Sequence, residues 1–207
     1  MGVSLKKSLS LILILFLGIS CAPVQSETKP LQANRSKAEI KKVALTSVEG
    51  NTRQASVKVY TDIGGHGSGT YFLYKGYHVV FTAAHVVANS NLFTIVDMYG
   101  NVRVGTAAYV SKNVDFAIIL IPAFKKIKPI KYKVPKYKPT DEIGRSLIFS
   151  GFPGRQSLRT VRALISGVEG RHFVMQSTAW KGSSGSCVFD SDGNFVGILF
   201  AVSMSQF

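Results

Sequence analysis

From residue 55 onward the chain is a succession of short apolar runs. In some, Val, Ile, Leu, Phe and Tyr alternate with polar residues; others are unbroken blocks, and Gly, Asp, Asn or Pro closes each one. Runs of this length and spacing predict strands, because an amphipathic helix would need a longer segment with a 3.6-residue period. The pattern predicts strands over 55–61, 68–74, 78–83, 92–97, 103–110 and 114–121, then over 146–151, 158–167, 172–178, 186–190 and 195–202. Almost no helix-length apolar pattern lies between them, so the expectation is an all-β sandwich or barrel. The series divides at a lysine-rich stretch, 124–140, with six strands before it and five after. Two antiparallel β-barrels in tandem are the simplest arrangement.

The first 50 residues follow other rules. Lys6 and Lys7 precede the apolar run Leu11–Leu17, and the small residues Gly18 and Ser20 follow it. That run is too short to span a bilayer and has the form of a secretory signal peptide over 1–21. Cys21 stands where the apolar run ends, and Leu17-Gly18-Ile19-Ser20-Cys21 resembles a lipobox, with Leu one place early. The expectation is lipidation at Cys21 and anchoring to a bacterial envelope membrane, periplasm-facing or outer. Residues 22–36 lack periodicity and read as a tether. Ser36 with Glu39 forms a possible capping box for a short helix over 37–45. This predicts a tether with a helix over 22–50 and a folded domain over 51–207, its first barrel at 51–122, a connection at 123–140 and a second barrel at 141–207.

Composition narrows the choice. A chain of 207 residues with 46% hydrophobic and 17% charged residues is neither a disordered tail nor a multi-span membrane protein. Two cysteines cannot build a disulfide scaffold, and neither has a CxxC partner. His66, His78 and His172 show no metal-ligand spacing, so no metal and no cofactor are expected. The net charge of +14 raises the question of an anionic partner. Its densest source is Lys125–Lys138, seven lysines without an acid. That stretch suits a connection with one wet face, or contact with an anionic membrane; nucleic acid ranks last, because an exported protein rarely meets it.

Three short segments carry chemistry only when taken together. Gly182-Ser183-Ser184-Gly185-Ser186 places a serine in a tight turn whose amides can approach a bound carbonyl. Thr82-Ala83-Ala84-His85 ends an apolar strand, and Asn113-Val114-Asp115-Phe116-Ala117 opens another. Singly, each reads as a turn, a core histidine or a strand-end cap. A serine hydroxyl, however, needs a base within reach, and that base needs a carboxylate to fix its tautomer.

These residues resemble the trypsin-like (chymotrypsin-fold) serine peptidases, above all the Deg/HtrA-like and glutamyl-endopeptidase-like branches. The resemblance rests on Thr82-Ala83-Ala84-His85, Asp115-Phe116-Ala117 and Gly182–Ser186, with Gly67-Ser68-Gly69-Thr70 and Gly151-Phe152-Pro153-Gly154 in support, and covers about residues 51–203. It implies an exported serine endopeptidase acting on protein or peptide substrates, with His85 as base, Asp115 as its orienter and Ser184 as nucleophile. The backbone N–H groups of Gly182 and Ser184 would form the oxyanion hole. It also implies a pocket base at Thr178, a substrate-pairing edge at Phe200, Ala201 and Val202, and a preference for uncharged residues. Ser183 replaces the acidic residue of the digestive members, and Cys187 reads as a small buried hydrophobe. The chain stops at Phe207, so the second barrel is expected to lack its last strand. A rival expectation is a protease-like binding module without a finished pocket.

Overall fold

A computed structural model describes residues 44–132, 143–154 and 156–200. The expected signal peptide, Cys21, the tether and most of the expected helix over 37–45 lie outside them. Ala44 and Leu45, the described end of that helix, are not helical.

A helix forms further on. In α1 (Ser47–Ala55), Thr46 caps the first turn: its side chain accepts from the Glu49 N–H, and the Glu49 carboxylate accepts from the Thr46 N–H. This is the Ser/Thr-x-x-Glu box at a second place in the chain. The expected boundary at 50/51 falls inside α1. Glu49 also accepts two hydrogen bonds from Arg162, and Arg53 donates to Leu158 O at 3.1 Å, so the helix is tied to the second half of the chain.

Six strands follow: β1 (Ser56–Thr61), β2 (His66–Tyr74), β3 (Tyr77–Thr82), β4 (Leu92–Asp97), β5 (Val102–Ser111) and β6 (Phe116–Leu120). A single-turn helix, α2 (Ala84–Val87), interrupts them. They pair in the order β1-β4-β5-β6-β3-β2, and β1 pairs with β2 to close the barrel. A two-residue strand, β7 (Ile130–Lys131), adds in parallel to β2. The second half forms β8 (Ser146–Gly151), β9 (Arg159–Glu169), β10 (His172–Gln176), β11 (Cys187–Asp190) and β12 (Phe195–Ile198), in the order β10-β9-β8-β11-β12. This antiparallel sheet curls into a half-barrel and does not close among the described residues. The strands expected from the sequence are all present, with ends shifted by a few residues.

Strand alternation explains which runs are mixed and which are solid. Tyr71 and Val80 point into the first barrel with Val57, Val59, Phe93, Ile95 and Ile119. Phe72, Val79 and Phe81 point the other way, into a cluster shared with Cys187 and Phe189 of the second half. Tyr71-Phe72 and Val79-Val80-Phe81 are apolar without a break because both faces of β2 and β3 are buried. Each fully buried side chain of this size contributes roughly 1.5–3 kcal/mol. Cys187 is completely buried, and burial pushes its thiol up to about 12, which makes it the inert hydrophobe expected.

The lysine-rich stretch has the character of a connection over its described part. Phe124 and Ile127 are buried in the first barrel, while Lys125, Lys126, Lys128 and Lys131 stay exposed.

Glu49 is held well below the usual carboxylate range, at about 2, first by the hydrogen bond from Arg162 and then by the Thr46 N–H. A depressed carboxyl stabilises the fold fully above its unfolded value near 4.5 and loses that contribution as pH falls toward 2. Thermal midpoints should therefore drop across this window in the wild type. Glu49→Gln should begin lower at neutral pH and show a flatter acid limb. Parallel curves for the two proteins would remove Glu49 as a source of the acid sensitivity.

Candidate active site

The histidine motif sits at the end of β3, where the buried Ala83 and Ala84 begin α2 and leave His85 half exposed. The aspartate motif lies in the turn before β6. Asp115 has φ +45°, a left-handed conformation uncommon for residues other than glycine. Its carboxylate accepts two bonds from one residue: from the His85 backbone N–H at 2.8 Å and from the His85 ring Nδ1 at 2.7 Å. A carboxylate partner at Nδ1 fixes the ring with that nitrogen protonated and leaves the Nε2 lone pair free.

The serine loop lies against this barrel. Ser184 O accepts from the Ser68 N–H of β2 at 2.8 Å, and Gly185 N donates to Leu199 O at 2.7 Å. Ser184 is half-buried, and its hydroxyl makes no hydrogen bond with the His85 ring. The structure thus joins His85 to Asp115 directly and brings Ser184 to the same barrel without closing the last link. Long or open links of this kind are common in proteases without a bound substrate.

Two peptide planes in the loop are held, one from outside and one from within. Lys181 O accepts from Gly154 N at 2.5 Å, and Ser183 O accepts from Ser186 N at 3.0 Å. In a trans peptide the N–H points opposite its carbonyl, so these bonds fix the directions of the Gly182 and Ser184 N–H groups. Neither N–H donates to another protein group among the described residues. Two oriented, unused donors beside a serine are what stabilisation of a developing oxyanion needs. Ser183 is buried, and its hydroxyl accepts from the Trp180 N–H within the same loop.

Beside this loop, the open face of the second sheet forms a cleft of about 640 Å³ lined by Leu147, Met175, Ser177, Ala179, Leu199 and Phe200, among others. Phe200, expected at a substrate-pairing edge, lines this cleft and packs against His172, ring centroids 4.8 Å apart. Ala201 and Val202 lie outside the described residues. Thr178, expected at the pocket base, does not line this cleft: burial alternates through β10 and the residues after it, with Phe173, Met175, Ser177 and Ala179 half-buried and Thr178 exposed.

A family model for the trypsin-like peptidase domain matches residues 67–198, from the glycine before Ser68 to the end of β12. The chain belongs to the trypsin-like peptidase domain family. Its structure is similar to that of the Rv3671c protease in an inactive form, at 22% identity and TM-score 0.62, covering 77% of this chain and 82% of that one. A serine-to-alanine mutant of Rv3671c from M. tuberculosis H37Rv gives 22% and 0.61, covering 76% and 80%. Deg5 gives 18% and 0.60, covering 74% and 82%. No curated protein matches the chain. At these identities the neighbours establish the double-barrel fold of this trypsin-like domain and leave its chemistry to its own residues.

Residues that sequence reasoning missed include Ser68, whose hydroxyl gave no signal beyond its Gly-Ser-Gly setting, and the pair Ser177 and Ala179, which the period of two could have found.

Proposed function

We propose that the protein is an exported serine endopeptidase that hydrolyses peptide bonds through His85, Asp115 and Ser184. The observation that carries this reading is the double contact of Asp115 with His85, which comes just after Thr82 and Ala83, the residues that Gly185 of the serine loop approaches closely. Ser184 Oγ attacks the peptide carbonyl as His85 Nε2 takes its proton. The resulting oxyanion is stabilised by the Gly182 and Ser184 N–H groups. Imidazolium, stabilised by Asp115, gives that proton to the leaving amine, and water then repeats the sequence on the acyl-enzyme. A fluorophosphonate probe tests the reading, because only an activated serine in a formed oxyanion hole is labelled quickly. No labelling at Ser184 would overturn it.

A second reading, a binding module of peptidase fold, is favoured by the second sheet, which does not close among the described residues. It predicts substrate-like peptide binding without labelling or turnover.

The signal-like start and Cys21 support export with a lipid anchor, and the exposed Lys125, Lys126, Lys128 and Lys131 would lie near the membrane surface. Cys21→Ser should move the protein from the membrane to the soluble exported fraction, since each buried CH₂ of an acyl anchor is worth roughly 0.8 kcal/mol. Mass spectrometry of the mature N-terminus checks it; an unmodified chain starting elsewhere would end the lipoprotein reading.

A further inference from the structure

Ser68 is fully buried in β2, and its N–H and hydroxyl are both bonded to the serine loop. Its N–H donates to Ser184 O at 2.8 Å, and its hydroxyl donates to Gly182 O at 2.8 Å. The same hydroxyl accepts from the Phe152 N–H at 2.9 Å, and Ser68 O accepts from the Thr82 hydroxyl at 2.7 Å. Gly182 and Ser184, the two residues whose N–H groups would face an oxyanion, thus each give their carbonyl to this one serine.

We infer that Ser68 is a positioning residue of the active site, its hydroxyl setting the backbone of the oxyanion loop from the opposite barrel. The inference rests on the peptidase reading. Phe152 begins the segment whose Gly154 N–H holds Lys181 O, so the hydroxyl joins both outside supports of the Gly182 peptide groups. Thr82, three residues before His85, fixes Ser68 in turn. One buried residue therefore connects the histidine strand, through its carbonyl, with the serine loop and the 151–154 segment, through its hydroxyl. Without its hydroxyl, Phe152 N and Gly182 O lose their partner in a place where water cannot replace it, and the loop relaxes toward other partners. The Ser184 and His85 side chains are untouched, so the loss falls on the oriented donors, which act on the transition state more than on bound substrate.

The test compares Ser68→Ala, Ser68→Cys and Ser56→Ala with wild type in full-length mature protein. Ser56 is an equally buried serine whose hydroxyl bridges Thr52 O and Ser150 O at the α1–β8 junction, so its loss reports stability alone. Readouts are fluorophosphonate labelling rate, kcat, KM and thermal midpoint. Ser68→Ala should label about 10- to 100-fold more slowly, lower kcat by the same factor and move KM less than about threefold, below the roughly 10²–10³-fold cost of losing an oxyanion donor outright. Ser68→Cys, a poorer donor of similar size, should fall between, and Ser56→Ala should label at the wild-type rate. Wild-type labelling by Ser68→Ala overturns the inference; if that variant does not fold, the same result for Ser68→Cys overturns it. Equal slowing by Ser56→Ala overturns it too. If wild type itself is not labelled, the peptidase reading fails and takes this inference with it.

Discussion

Ser184→Ala should lower peptide hydrolysis by roughly 10⁵- to 10⁶-fold and abolish fluorophosphonate labelling, with the thermal midpoint close to that of wild type. The side chain gives up one oxygen that makes no hydrogen bond among the described residues, so the substitution costs chemistry and little stability. His85→Ala should lose about as much, because an unactivated hydroxyl is nearly as useless as none, and the double variant should be no worse than either single one. Asp115→Asn should lose about 10⁴-fold. Asparagine tolerates the positive φ at this position, so the turn survives, yet its amide cannot accept from both the His85 N–H and Nδ1–H as the carboxylate does. Circular dichroism of all four variants guards against unfolding. Full turnover by Ser184→Ala would show that the hydroxyl is not the nucleophile.

Much of this architecture was legible in the chain because its main features repeat with strand period. Solid apolar runs mark strands with two buried faces, as in Val79-Val80-Phe81, and alternating runs mark the solvent-facing ones, as in Leu92–Asp97, buried at every second residue. The Thr82–His85 and Gly182–Ser186 segments are legible for another reason. Each compresses its chemistry into four or five adjacent residues, whereas Ser68 acts on Gly182 and Phe152 across more than eighty positions, and no local pattern records that. The capping box of α1 follows the same rule as the one expected at Ser36. Ser36-x-x-Glu39 and Thr46-x-x-Glu49 have the same form, and the second lies where Glu49 can also reach Arg162.

Asp97 has the pattern of a turn residue, and a counterpart lies in the second half. Asp97-Met98-Tyr99-Gly100-Asn101 and Asp190-Ser191-Asp192-Gly193-Asn194 share the pattern Asp-x-x-Gly-Asn, one in each half. In both, one aspartate oxygen accepts from the N–H groups two and four residues on, and the other accepts from the asparagine amide. The two loops join β4 to β5 and β11 to β12. Buried Asp97 is therefore explained by local hairpin geometry, and Asp190 by the same geometry with an ion pair to Arg145, which leaves Asp115 as the aspartate engaged with His85.

Gly185→Ala should damage the protein more than any other single methyl added to the serine loop. Its φ of +89° is strained for alanine, and an added Cβ would lie 2.1 Å from Ser68 O and 2.3 Å from Thr82 Oγ1. Those atoms cannot swing aside, because Ser68 O belongs to the barrel backbone and Thr82 Oγ1 is bonded to it. The loop must move instead, away from β2, and the Ser68 N–H to Ser184 O and Gly185 N–H to Leu199 O bonds would stretch with it. The conformational penalty is about 1–2 kcal/mol and overpacking adds about 1–3 kcal/mol. At roughly 2–4 °C per kcal/mol for a domain of this size, the thermal midpoint should fall by about 10 °C. Hydrolysis should fall by more than the midpoint suggests, since the displaced residue is the neighbour of Ser184. Gly64→Ala is the control: its φ of +85° is similar, but nothing lies within 4 Å of the added carbon. It should show the conformational penalty alone, with labelling at Ser184 unchanged. If both variants lose the same few degrees and label alike, the serine loop does not depend on this close approach to the first barrel.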